Sequence, residues 1–226
     1  WQSHFDRGMT THWWGRPHLG IVIHNGIEMK PVRDFTSLEL LAIRKSYEKV
    51  FVCSANWHPQ KRLADNVAMF KHLRKMHPNS CLIVMGANPD YMCADPGIFY
   101  SGSLPPELYM QVYSMADWMI HLAWLDHCPN VVIEALSQNT PVICTDAGGT
   151  RELVGDNGII LAEAPYNFEL ANYDDPPHVD VTQLTKLELP KGTFDASALS
   201  ILDIQRVAHV YEGLFNKVVY NNEVPC

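Results

Sequence analysis

Short apolar runs alternate along this chain with stretches whose apolar residues recur at helical spacing. Val50–Ser54, Cys81–Gly86, Gly97–Gly102, Trp118–Ala123, Thr140–Thr145 and Gly158–Leu161 are each too short for a stable helix and rich in β-branched or bulky residues. They read as buried strands. Between them, Leu63–His77 sets Val67, Phe70 and Leu73 on one face, and Pro105–Ala116 reads as a second helix. A third opens at Pro129-Asn130, because proline at a first helical position gives up no needed hydrogen bond. Thr150 is expected to cap a short helix carrying Arg151 to Val154. Nearer the start, Ile21–Ile27 reads as a strand closed by a tight turn at Asn25-Gly26. Residues 31–49 read as a linker and then a helix with an imperfect stripe of Leu38, Leu41, Ala42 and Tyr47. The proline- and aspartate-rich stretch from Ala164 to Gly192 reads as an irregular excursion. Ser197–Asn221 reads as one amphipathic helix, with Leu199, Leu202, Val207, Val210, Tyr211, Leu214, Phe215 and Val218 on its apolar side. Residues 1–20 show no clean period, and Trp13 and Trp14 are expected to pack on a neighbouring element.

Repeated strand–helix alternation implies an α/β fold with a doubly wound parallel sheet. In such sheets ligands bind beyond the carboxyl ends of the strands. The loops at 55–61, 101–104, 124–131 and 146–150 all follow strands, so they share that edge.

The candidate chemistry sits in those loops. Asp126 lies just ahead of the helix opened by Pro129, and Glu134 about a turn inside it. The free amides of Cys128, Asn130 and Val131 would point into the space beside Asp126, an anion site at a helix N-terminus. Lys61 stands in a polar loop between a strand and a helix, the layout of a second anion contact. Amides for phosphate and carboxylates for hydroxyls suit a nucleotide sugar. The bland alternatives are an exposed helix-start charge for Lys61, a solvated loop histidine for His127, and a loop carboxylate plus a helix-surface glutamate for Asp126 and Glu134. A glycosidase acid/base pair of Asp126 and Glu134 is disfavoured, because the doubly wound pattern and the helix amides favour phosphate.

Composition narrows this further. The 226 residues suit one α/β domain with an appendage. The net charge of −8, without long basic runs, argues against nucleic acid as the main partner. Six cysteines at 53, 81, 93, 128, 144 and 226, with no Cys-x-x-Cys, read as reduced structural thiols in a cytosolic setting. His58, His121 and His127 lack metal-ligand spacing, so no metal is expected. No apolar run approaches the ~20 residues of a membrane span, and no signal peptide is apparent. Trp1 in first place suggests a piece of a longer chain.

Asp126-x7-Glu134 followed by Ala135-Leu136-Ser137, then Thr140-Pro-Val-Ile-Cys-Thr145, then Gly148-Gly-Thr-Arg-Glu152, resembles the donor-binding signature of retaining, GT-B-fold glycosyltransferases of group 1, or family 4. The resemblance covers roughly residues 21–161. It departs from the pattern at Asp126, where glutamate is usual, and at Glu28, where aspartate usually follows Asn-Gly-Ile. Lys61 matches the family's lysine; the family's phosphate-binding arginine falls near Asn56 or Trp57, with Arg62 as a candidate substitute.

The resemblance implies a nucleotide diphospho-sugar substrate, no cofactor, and transfer with retention. It implies Asp126 and Lys61 as catalytic groups. Donor contacts would come from Asn56, Lys61, Arg62, Tyr100, Asp126, His127, Cys128, Asn130, Val131, Glu134, Gly148 and Gly149. In this scheme Asp126 takes the sugar hydroxyls and Glu134 the ribose diol. Lys61 and the helix amides hold the diphosphate, His127 touches a phosphate, and Tyr100 lies beside the base. Residues 1–20 would be the hinge tail of an absent N-terminal half, 21–165 the donor domain, 166–196 the excursion and 197–226 a terminal helix. The acceptor, a glycan, lipid or protein, would meet that other half, in a cytoplasmic enzyme able to sit at a membrane periphery. Two alternatives share the donor site: a non-catalytic nucleotide-sugar-binding subunit and a GT-B nucleotide-sugar epimerase.

Overall fold

The computed structural model describes residues 1–15, 20–32 and 35–220. Part of the first twenty residues, part of the 31–49 linker, Cys226 and the last turn of the expected terminal helix therefore lie outside the described residues.

Six parallel strands form one sheet: β1 Lys49–Ser54, β2 Ser80–Met85, β3 Ile98–Gly102, β4 Trp118–His121, β5 Val142–Thr145 and β6 Gly158–Leu161, in the order β3-β2-β1-β4-β5-β6. The six expected runs are these six strands. Alternation within them splits the core in two. Val50, Val52, Cys81, Ile83, Met119, Val142 and Cys144 face one layer of helices. Phe51, Cys53, Leu82, Val84, Ile120 and Ile143 face the other. Burial on both faces explains why the strands read as continuous apolar runs rather than as half-polar ones. Cys53 and Cys144 are fully buried, and burial pushes the Cys144 thiol up to about 12, so it stays a neutral core thiol at neutral pH.

Helices cover both faces: α2 Leu38–Ser46, α3 Leu63–Met76, α4 Pro106–Met115, α5 Asn130–Ser137 and α6 Thr150–Val154. On α3, Val67, Phe70 and Leu73 are buried as expected, joined by Leu63 and Met69. The chain builds β1, β2 and β3 outward in one direction. It then crosses back through α4 to lay β4 on the other side of β1. The start of β4 is anchored by Asp117, whose carboxylate accepts from the Val50 amide at 2.8 Å and pairs with Arg44 and Lys49. The direction of winding reverses between β1 and β4, which leaves a crevice beyond their C-terminal ends. The loop after β1 carries Lys61 and the loop after β4 carries Asp126.

Four expectations are corrected. Residues 4–14 form a helix, α1 His4–Trp14, which the aperiodic sequence concealed; Ser3 caps it, Gly15 closes it in the left-handed conformation, and Trp13 and Trp14 are 50% and 69% exposed rather than packed away. Ile21–Ile27 is not a strand of the sheet. Among the described residues its bridge runs from Ile27 to Asp203, with the Ile27 amide donating to Leu202 O at 2.9 Å. The terminal helix is broken: a 3₁₀ segment Ala196–Leu202 precedes α7 Ile204–Tyr220. Asp203 between them is extended, and its carboxylate accepts from the Gln205 amide, which starts α7 afresh. Leu199, Leu202 and Val207 are buried, whereas Val210, Tyr211, Phe215 and Val218 are exposed. Finally, Thr150 does not cap α6. It is the first helical residue, Gly149 holds the cap position, and the buried Thr150 hydroxyl has no hydrogen-bond partner among the described residues.

Candidate functional site

The loop leaving β1 is held at both ends. Trp57 donates its indole N–H to Met85 O at 2.9 Å and its amide to Ala87 O at 3.0 Å, tying the loop to the end of β2. That approach requires Gly86: a Cβ there would sit 1.8 Å from Ala55 O, and the residue has φ +108. Pro59–Lys61 then makes one 3₁₀ turn, and Arg62 enters α3 in the left-handed conformation. The buried Asn66 side chain donates to Lys61 O and Arg62 O, at 3.0 and 2.8 Å, and accepts from the Leu122 amide at 3.3 Å. One amide thus joins the Lys61 turn to the end of β4. Gln60 and Trp124 add two more bonds across the same gap, each 2.9 Å.

This clamp delivers Lys61 Nζ to 2.5 Å from Asp126 Oδ2. His121, the last residue of β4, places Nε2 3.4 Å from the same oxygen. Burial works to raise the Asp126 pKa, but His121 and the Lys61 charge outweigh it, and the carboxyl is held well below the usual range. His121 is 4% exposed, and burial pulls its pKa down against the opposing effect of Asp126, so the ring is neutral at neutral pH.

The Asp126 loop is shaped from behind by the loop after β5. Gly149 N donates to Asp126 O at 2.7 Å, and Gly148 bridges to Asp126. A Cβ at Gly148 would lie 2.7 Å from Asp126 O, and one at Gly149 2.0 Å from His127 O. Both glycines therefore act by letting backbone meet backbone.

Helix α5 follows. Its N-cap is Pro129, which offers no side-chain cap, so the Asn130 and Val131 amides at its N-terminus are left for another acceptor. Asn130 and Glu134, one turn apart, line a cleft of about 470 Å³ with Gln2, His24 and Asn25. Asn25 donates to Asn130 Oδ1 at 2.7 Å. On the other side, Glu134 and Val131 line a second cleft, of about 290 Å³, with Ser54, Asn56, Gly86, Ser103, Leu104, Tyr109 and Tyr113. Burial raises the Glu134 pKa, and the neighbouring Tyr113 hydroxyl offsets part of that rise.

The structure therefore groups the expected residues in two sets. Lys61 and Asp126 form one pair, with His121. Glu134, Val131 and Asn56 share the smaller cleft, and Glu134 and Asn130 share the larger; Lys61 and Asp126 line neither of these two clefts. All of them lie at the same sheet edge, in loops leaving β1 and β4 or in α5.

Three expected contacts are turned elsewhere. Arg62 is 4% exposed, and its guanidinium makes a two-pronged bond to Glu163 at 2.8 and 2.9 Å, adds a bond to Leu122 O, and lies over the Trp124 ring. A buried carboxylate has claimed it. Tyr100 packs on the α3 side of the sheet, where its hydroxyl accepts from the Cys93 amide. Side chains alternate along a strand, and the smaller cleft is lined by Ser103 and Leu104 rather than by Tyr100. His127 faces α1, edge-on to Phe5 and 3.2 Å from Asp6. The Cys128 side chain is buried, and its carbonyl accepts from Asn25.

Sequence reasoning missed His121 as a neighbour of Asp126, Asn66 as the clamp, and Tyr109 and Tyr113 as cleft walls. A signal existed for the first two. His121 is a polar residue within an apolar strand run, and Asn66 falls on the apolar face of α3 beside Leu63, Val67 and Phe70.

Residues 42–172, more than half of the chain, match the family model described as glycosyl transferases group 1. A Bacillus subtilis (strain 168) protein named for a glycosyltransferase of teichuronic acid biosynthesis, TuaC, is 35% identical over 65 residues, 29% of this chain and 17% of that protein. Among solved structures, Anabaena Alr3699/HepE in complex with UDP-glucose is 17% identical with a TM-score of 0.63, over 94% of this chain and 63% of that one. Sucrose-phosphate synthase (tll1590) from Thermosynechococcus elongatus is 15% identical with a TM-score of 0.68, over 96% and 57%. This chain thus spans under two thirds of the length of these relatives.

Proposed function

Given that the chain belongs to the glycosyl transferases group 1 family, we propose that residues 21–165 bind a nucleoside diphosphate sugar and serve its transfer with retention of anomeric configuration. The observation that carries this reading is the Lys61–Asp126 pair at the crevice where the sheet reverses, beside the uncapped N-terminus of α5. The nucleoside fills the 290 Å³ cleft, with its base against Ser103 and Leu104 and its ribose diol on Glu134. One carboxylate facing two adjacent hydroxyls can accept from both. The diphosphate lies over the amides of Asn130 and Val131, where the helix dipole favours negative charge. Lys61 approaches it from the opposite side, and Asp126 accepts from the sugar hydroxyls. As the glycosidic bond to phosphate breaks, charge grows on the departing diphosphate. Fixed amides and one ammonium stabilise that charge more than they stabilise the bound donor, which is what accelerates the step.

The acceptor comes from a facing domain, since the cleft residues here bear on donor chemistry. A neighbour solved with UDP-glucose supports the donor class. The test is a thermal-shift screen of uridine, guanosine, adenosine, cytidine and thymidine diphosphates and their sugar conjugates, followed by product analysis. One diphosphate should raise the melting temperature in proportion to the logarithm of its concentration, because it binds the folded state alone. No shift with any diphosphate would overturn the reading. Release of a free epimerised nucleotide sugar, rather than a glycoside, would replace transfer with epimerisation.

A further inference from the structure

His121 is not explained by the donor scheme above. It ends β4, a strand whose other residues are all apolar, and it is 4% exposed. A polar group is rarely buried without a partner, because losing water costs free energy that a hydrogen bond must offset. Yet Nε2 has no well-formed hydrogen bond among the described residues. It lies 3.4 Å from Asp126 Oδ2, close enough for attraction and poorly aligned for a bond. The same oxygen is already held by Lys61 at 2.5 Å.

This arrangement fits a site drawn with its cation in the resting place. An arriving diphosphate carries more negative charge than Asp126 and competes for the ammonium. Once Lys61 turns to it, Asp126, with a side chain 14% exposed, is left as a partly buried charge without its closest partner. The charged groups that act on His121 are Asp126 and Lys61. With Lys61 withdrawn, one of the two influences that oppose protonation of the ring goes; burial still opposes it, and the attraction of Asp126 that favours it stays.

We propose that His121 is a positioning residue for Asp126: when Lys61 turns to a bound diphosphate, Nε2–H closes onto Oδ2 and holds the carboxylate in place for the donor sugar. This rests on the donor-site reading above. A closure of about 0.5–0.7 Å would bring the contact to the 2.7–2.9 Å of a charge-assisted bond. The Asn66 clamp ties the end of β4, which carries His121, to the Lys61 turn.

The test uses the full chain labelled with ¹⁵N-histidine, with the His121 signals identified by their loss in His121→Phe. The probe is whichever of the five nucleoside diphosphates binds most tightly. On saturation, the His121 Nε2 signal should move toward the protonated, hydrogen-bonded range. His121→Gln, which keeps a side-chain N–H near the Nε2 position, should bind the diphosphate within about threefold of the starting chain. His121→Phe should lose about tenfold or more, as for a lost hydrogen bond to a charged group. If a diphosphate binds while the His121 signals stay still, or if His121→Phe folds and binds as tightly as the parent, the proposal fails and the donor site stands. If no diphosphate binds, the donor site fails and takes the proposal with it.

Discussion

Arg62→Met separates a structural role for this arginine from a ligand-binding one. Methionine keeps much of the stem and removes the guanidinium. Glu163, whose side chain is 7% exposed, then loses both of its short bonds, and Leu122 O loses a donor at 3.2 Å. Removing one partner from a buried, hydrogen-bonded ion pair costs about 3–5 kcal/mol, mostly because the remaining charge has no water to return to. With a urea m-value of about 2 kcal/mol/M, the unfolding midpoint should fall by roughly 1.5–2.5 M. The double variant Arg62→Met/Glu163→Met removes both charges and should recover most of that loss. It should also bind the preferred nucleoside diphosphate within a few-fold of the parent. A single variant whose midpoint stays within about 0.3 M while diphosphate binding disappears would refute this reasoning, for the guanidinium would then be acting on ligand.

Glu134→Gln should weaken nucleoside diphosphate binding by about 1.5–3 kcal/mol, the worth of hydrogen bonds to a charged group, measured by calorimetry. The same change should raise stability at neutral pH: burial lifts the Glu134 pKa, so the folded state disfavours the charge and that penalty grows as pH rises past the unfolded value. Gly86→Ala should destabilise strongly, by about 1–3 kcal/mol from the backbone conformation and about 1–3 kcal/mol from the clash with Ala55 O, visible in thermal melting. The Arg74 guanidinium holds the Asp95 carboxyl down at about 2. Its contribution is complete above the ordinary carboxylate value and is lost as pH falls toward 2. Asp95→Asn should therefore flatten the acid limb of the stability curve between roughly pH 4 and 2.

The sheet was legible because each strand is a short apolar run with a polar or glycine stop, and strand–helix alternation leaves few topologies. The edge that gathers Lys61, Asp126 and Glu134 follows from the same alternation, since every loop named there follows a strand. What escaped depends on three-dimensional claims upon a side chain. Arg62 looks like a free cation beside Lys61 until the fold brings Glu163, a hundred and one positions on, against it. Tyr100 has a neighbour on either side in the strand, and only the sheet's placement decides which faces the cleft. Helix α1 spaces Phe5, Met9 and Trp13 four apart but buries none of its residues, and its first amides are met from afar, where the Glu152 carboxylate accepts from His4 and Phe5. The break at Asp203 is likewise set by a long-range bridge to Ile27. Local spacing carries none of these.

In the proposed site, Lys61 and α5 hold a diphosphate while Glu134 holds the nucleoside. The most direct measurement compares calorimetric titrations of the preferred nucleoside diphosphate and its monophosphate into the parent chain and Lys61→Met. Lys61→Met is expected to cost the diphosphate about tenfold or more and to leave the monophosphate nearly unchanged. Equal losses for the two nucleotides, or none for either, would contradict it.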